Sequence, residues 1–179
     1  FYKPIKEGPT VSLIDDLNYE IKLVNGICKH YEDDYIEIRN LTNLDFKTFL
    51  NQDNNNLDDI IIDFNKIFLN SGIFFNIKSE AKLKIRLTHE TSDNFTIFQN
   101  NFINFKKRCE VKLEDNFNLT NNSINNINYN INVEEDAIIK HNIFQNFANS
   151  NKLYLTSNTV CEKNSSYSQN TYNFSDGFV

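Results

Sequence analysis

The chain has 179 residues, a net charge of −6 and 40% apolar residues, enough for one domain with an appendage. The acidic balance argues against a nucleic-acid or membrane-surface partner. No apolar run approaches the roughly 18 residues a membrane span needs. Three cysteines, an odd count without the density of a disulfide scaffold, point to a reducing compartment: the cytoplasm, or an organelle stroma in a eukaryote. Phe1 to Thr10 holds no apolar signal segment, and the chain has no Met, so Phe1 is expected to lie inside a longer reading frame.

In chain order, Tyr19 to Val24 alternates as a strand does and runs into Asn25-Gly26, a strong hairpin-turn signal. Tyr35 to Arg39 alternates too. The intervening Gly26–Asp34, carrying Cys28 and His30, reads as a loop. Leu44 to Leu50 has helical apolar spacing behind an Asn43 N-cap. After a polar breaker, Leu57, Ile60, Ile61, Phe64, Ile67 and Phe68 form one helical stripe. Asp58 and Asp59 lie in its first turn, where the helix dipole favours them, and Ser71-Gly72 ends it. The predicted next element is a strand, Ile73 to Ile77.

From there the chain repeats with a period of 28: Ala81, Cys109, Ala137 and Ser165 are all small. Two residues on come Leu83, Val111, Ile139 and Tyr167; four residues back come Ile77, Phe105, Val133 and Cys161. A further column holds Phe75, Ile103, Ile131 and Thr159. A fixed period of this length means stacked units. Lys82 to Leu87 and Glu110 to Glu114 alternate apolar with charged, the period of a strand with one wet face. Parallel strands joined through helices are excluded, because no helix fits between them. The expected fold is therefore mainly β: a right-handed parallel β-helix of 28-residue coils over residues 73–179, capped by an N-terminal α/β region over 1–72. Small residues belong where each coil turns a corner. Asn suits corners and can ladder along a stack, but Asn, Ile, Lys, Phe and Tyr also share AT-rich codons. That composition alone would fill permissive surface positions with Asn, and it makes Asn-x-Ser/Thr matches such as Asn40, Asn94, Asn118 and Asn164 expected noise.

The columns also filter the candidate chemistry. Cys109 shares the small-residue slot, and Cys161 shares a core ladder with Ile77, Phe105 and Val133, so both read as packing residues. Cys28 reads as a plain loop cysteine despite Lys29 and His30 beside it. His141 falls in the column of Ile85 and Leu113 and reads as a satisfied inward or corner histidine. His89 is placed at a strand end and His30 in a loop, so the three histidines share no column and metal-ligand spacing is unsupported. Asp33-Asp34 and Glu134-Glu135-Asp136 are acidic clusters, the second read as a solvated corner. Without a Gly-rich phosphate loop, nucleotide hydrolysis is not expected of this chain. No catalytic and no metal residue is assigned.

The order of pieces resembles the SufD/SufB family of iron–sulfur cluster assembly scaffolds, the SufD branch above all. The carrying residues are Leu23-Val24-Asn25-Gly26 with Tyr35-Ile36-Glu37-Ile38, then the stretch Asn65 to Ile77, where a helix ends in a Gly turn and enters the first solenoid strand. Ala81 to His89 and Asn132 to His141 resemble the family's recurrent strand, turn, small residue, strand pattern. The resemblance implies a parallel β-helix subunit, not an enzyme, that works with a SufB-like paralogue and a SufC-like ATPase. It implies a cluster handled by the assembled complex, with no cofactor bound by this segment. The family's cluster-building Cys and His residues lie late in the β-helix or beyond it. Its helical C-terminal region has no counterpart in the sequence, so the chain is expected to be a fragment that stops partway through a coil, and no functional residue is carried over. The alternatives are a carbohydrate-active β-helix enzyme, which needs clustered carboxylates on one outer face, and a β-solenoid surface adhesin, which needs an export segment.

Overall fold

The computed structural model describes residues 17–42, 45, 66–147 and 150–174. After a short N-terminal set, β1 (Tyr19–Val24), β2 (Ile27–Cys28), β3 (Tyr31–Glu32) and β4 (Ile36–Asn40), comes β5 (Ile73–Ile77). Seven long strands follow: β6 (Lys82–Thr91), β7 (Thr96–Phe105), β8 (Glu110–Leu119), β9 (Ile124–Val133), β10 (Ile138–Phe147), β11 (Lys152–Cys161) and β12 (Ser166–Asn173). One sheet has the order β12-β10-β8-β6-β1-β2 and the other β11-β9-β7-β5-β4-β3. The chain thus alternates between two sheets, and each strand stacks in parallel on the one a coil earlier. Leu83 pairs with Val111, and Val111 with Ile139, in the predicted 28-residue register. This is a parallel β-solenoid. The strands are longer than the alternating stretches of the sequence suggest: most have ten residues, so a coil is two strands and two four-residue corners.

The core lies between the sheets because inward positions alternate with outward ones. Leu83, Ile85 and Leu87 of β6 and Val111, Leu113 and Phe117 of β8 face Ile103 and Phe105 of β7 and Ile127, Ile131 and Val133 of β9. One corner of each coil is set by a left-handed residue: Glu80, Arg108, Asp136 and Asn164, all with φ near +60°. The next residue, the predicted small one, drops inward, and its amide closes the turn, as in Cys109 N–H to Lys106 O (3.3 Å) and Ala137 N–H to Glu134 O (3.2 Å). Asn94 and Asn122 hold the same conformation at the opposite corner, where Asn122 Nδ2 donates to Asn94 Oδ1 at 3.2 Å. Asn tolerates this geometry better than most residues. Asparagine is not confined to the surface, however. Asn100, Asn101, Asn116, Asn125, Asn126, Asn128 and Asn151 are buried, which corrects the expectation that it fills permissive outer positions.

The N-terminal strands cover the first coil. β1 stacks in parallel on β6 as an earlier coil would, with Ile21 opposite Leu87, while β4 runs antiparallel to β5. The predicted loop over 26–34 is not all loop: β2 and β3 lie in it and extend the two sheets. Apart from Asp45, the helix predicted behind Asn43 lies outside the described residues, as does most of the helical stripe from Leu57. Residues 66–68 form a helical turn just before β5. Among the described residues no helix is long and apolar enough to cross a membrane.

Asn25 and Gly26 both have positive φ (51° and 77°), as a two-residue hairpin turn between β1 and β2 requires. A Cβ on Gly26 would lie 2.4 Å from Ser71 Oγ and 2.8 Å from Ser71 Cβ. Gly26→Ala is therefore expected to destabilise the cap by about 1–3 kcal/mol, from left-handed strain and the clash together. Adding Ser71→Gly should recover the steric part, measured as the shift in the denaturant midpoint.

Candidate functional site

In β8 the inward phase runs Val111, Leu113, Asp115, Phe117, Leu119, so a carboxylate takes a place that its own stack otherwise gives to Leu87 and Ile143. Asp115 is fully buried. An isolated carboxylate there would cost several kcal/mol, and three neighbours offset this. His89, one coil earlier and two residues further along its strand, brings Nε2 to 3.4 Å from Oδ1. His141, one coil later and two residues back, brings Nε2 to 2.9 Å from Oδ2. Tyr129, from β9 in the opposite sheet, donates its hydroxyl to Oδ2 at 2.7 Å. The cluster is a diagonal across three coils, closed from the facing sheet.

The hydrogen bonds continue outward. His141 Nδ1 lies 2.7 Å from the Tyr167 hydroxyl, which donates to Gln169 Oε1 at 3.0 Å. With its proton on Gln169, Tyr167 accepts from Nδ1–H, while Nε2 faces a carboxylate that can only accept. Both ring nitrogens of His141 are thus engaged, one by the Tyr167 hydroxyl and one by the Asp115 carboxylate. Burial pushes the Asp115 carboxyl upward, but His141, by charge and hydrogen bond, and His89 outweigh it and hold it well below the usual carboxylate range. Burial, and next the Asp115 charge, push the Tyr129 hydroxyl far above its ordinary value. His89 also stacks on Phe117, ring centroids 4.3 Å apart. Tyr167 is half-buried and Gln169 exposed, so the chain of bonds runs from the centre to the surface of the last described coil.

A second polar system supports the corner opposite the small-residue column. Thr91 Oγ1 donates to Asn125 Oδ1 (2.8 Å), and Ser123 donates through both its amide and its hydroxyl to Asn151 Oδ1 (2.9 and 3.1 Å). Asn151 Nδ2 in turn reaches Leu119 O at 3.3 Å. On the outer side of that sheet, Asn128 Nδ2 donates to Asn100 Oδ1 (3.1 Å) and Thr156 Oγ1 to Asn128 Oδ1 (3.0 Å), one coil per step. These are amide ladders of the kind that stacked parallel strands permit.

His141 lies inward in its column and is fully satisfied. His89 is not at a strand end: β6 continues to Thr91, which places it in the core. The two histidines share no column yet meet on one carboxylate, because the stack joins diagonal neighbours that sequence spacing hides. Cys28 is not a loop residue but a buried member of β2, its thiol pushed up to about 11 by burial. Cys109 is buried and raised to about 11 for the same reason, which keeps it a neutral thiol. Cys161 stacks on Val133 as predicted, but on the last described coil it is exposed. His30 is exposed beside β3. Asp33 is a structural hub: it accepts from Tyr19 Oη (2.6 Å), Tyr31 Oη (2.9 Å) and the amides of Tyr35 and Ile36. Desolvation pushes its carboxyl upward, but these hydrogen bonds together outweigh it and bring it down to about 2. Glu134 and Glu135 follow β9 at a corner, as predicted, and Glu134 accepts from Lys106 Nζ at 2.7 Å. Among the described residues no group of three His, Cys, Asp or Glu side chains could hold a metal ion.

The class that this fold and core define is a parallel β-solenoid with a charged, hydrogen-bonded centre. No protein-family model and no curated protein sequence matches the chain.

Removing the anion from this centre takes away the acceptor that His141, His89 and Tyr129 share in the core. Asp115→Asn is expected to cost about 3–5 kcal/mol, against about 1 kcal/mol for Tyr129→Phe, which removes one hydrogen bond. Because the folded Asp115 carboxyl sits below its unfolded value near 4, its contribution is complete above that pH and is lost as pH falls below it. Unfolding free energy of the parent chain should drop below about pH 4, and Asp115→Asn should show a shallower acid slope, measured by urea melts across pH.

Proposed function

We propose that the chain is a structural subunit of a multiprotein assembly, of the SufD type, working with a SufB-like paralogue and a SufC-like ATPase in iron–sulfur cluster assembly. The observation that carries the reading is the junction over residues 66–77. There a helical turn passes through Ser71 and Gly72 into β5, the strand that opens a parallel solenoid, and this is the stretch on which the resemblance rests most. The interior adds support of a physical kind. The histidines and the carboxylate best suited to acid–base work are bonded to one another inside the core, where they brace the stack. In this reading the cluster is cargo of the assembled complex, in the cytoplasm or an organelle stroma, and this subunit supplies shape and surface.

Co-expression with a SufB-like and a SufC-like protein is expected to give one complex that survives size-exclusion chromatography. Elution of the chain alone at every ratio would overturn the proposal.

A further inference from the structure

The outer face of the sheet containing β6, β8 and β10 follows a rule with one exception. Residues stacked one coil apart tend to have opposite charge: Lys82 on Glu110 (3.0 Å), Arg86 on Glu114 (3.2 Å) and, from β1, Glu20 on Arg86 (3.6 Å). The column between the first two breaks the rule. Lys84 pairs in register with Lys112 and Lys112 with Lys140, three lysines at successive steps of the stack. Parallel strands are about 4.8 Å apart, and like charges stacked directly on each other are destabilising. Glu110 and Glu114, the acids that flank the column, are taken by Lys82 and Arg86. Lys112 and Lys140 are exposed, and among the described residues neither is in an ion pair.

This column lines a groove of about 570 Å³, within the size range of small-molecule sites. At one side stands Asn18, whose Oδ1 accepts from the Lys84 amide at 2.8 Å, so what remains to a ligand is its NH₂ donor. At the other stands Ile138, 47% exposed, an apolar surface beside the charges. The groove thus offers donors in a row and an apolar edge. We propose that it binds a small organic ligand bearing linked phosphates, whose adjacent anionic groups bridge Lys112 and Lys140 while its carbon part lies against Ile138. Lys serves such groups as a point charge, and the ligand removes the repulsion within the column. This site is independent of the assembly role proposed above.

The test is calorimetric titration of the full chain with inorganic tripolyphosphate at low ionic strength. Saturable binding with a sub-millimolar dissociation constant is expected. Lys112→Gln/Lys140→Gln should weaken it at least tenfold, while Lys107→Gln/Lys163→Gln, which removes the same charge at a corner outside the groove, should change it less than twofold. Thermal melts of both double variants establish that they are folded. Absence of saturable binding to the parent chain, or equal weakening in the two variants, would overturn the proposal.

Discussion

Each coil is held to the next by one hydrogen-bond register, in which a residue pairs with the residue 28 places along. The rest of the structure depends on this. Stacking places side chains of equivalent positions in direct contact, so each column must be compatible with itself. Apolar columns satisfy this easily, as Ile85 on Leu113 does. Amides satisfy it by passing a hydrogen bond up the stack, as Asn100, Asn128 and Thr156 do. Charges satisfy it best when opposite signs meet, as Lys106 and Glu134 do at 2.7 Å.

A carboxylate inside the core cannot be neutralised within its own column, since Leu87 and Ile143 lie directly before and after Asp115. It is neutralised diagonally, by His89 and His141, and from the facing sheet by Tyr129. That arrangement does something the apolar columns do not. A slip of two residues along a strand preserves the inward and outward alternation. The same slip, in the direction that carries either histidine further along the strand direction from Asp115, would take it off the carboxylate and leave a charge unpaired in the core. Together with the left-handed corners at Glu80, Arg108 and Asp136, the cluster ties each coil to one register. Buried ion pairs are best attested in this kind of role, as setters of register more than as sources of net stability.

The period, the strand character and the small-residue corner were legible in the sequence because they recur at equal spacing, and recurrence survives noise. Cys28 was not, because a two-residue strand such as β2 is too short to show alternation. The second corner was hidden for another reason: its column holds Phe95, Ser123 and Asn151, which share neither size nor polarity. Asp115 left a signal, a carboxylate in the apolar phase of Val111, Leu113, Phe117 and Leu119, which shows only once the strand is followed to its end at Leu119. Tyr129 left none, since a tyrosine in a core phase is unremarkable until its partner across the sheets is known. The meeting of His89 and His141 needs both the period and the diagonal, and spacing rules for metal ligands ask for neither.

A column fixes the direction of a side chain, and the coil fixes how far it is covered. Val111 and Ile139 are buried, whereas Tyr167, next in the same column, is half-buried. Val133 is wholly buried and Cys161, stacked on it, is exposed. The same difference gives the central Asp115 cluster its contact with the surface. His141 is sealed, but Tyr167 and Gln169 carry its hydrogen bonds to the outermost described coil. Whatever packs on that coil therefore touches, through two residues, the charge that sets the register of the whole stack.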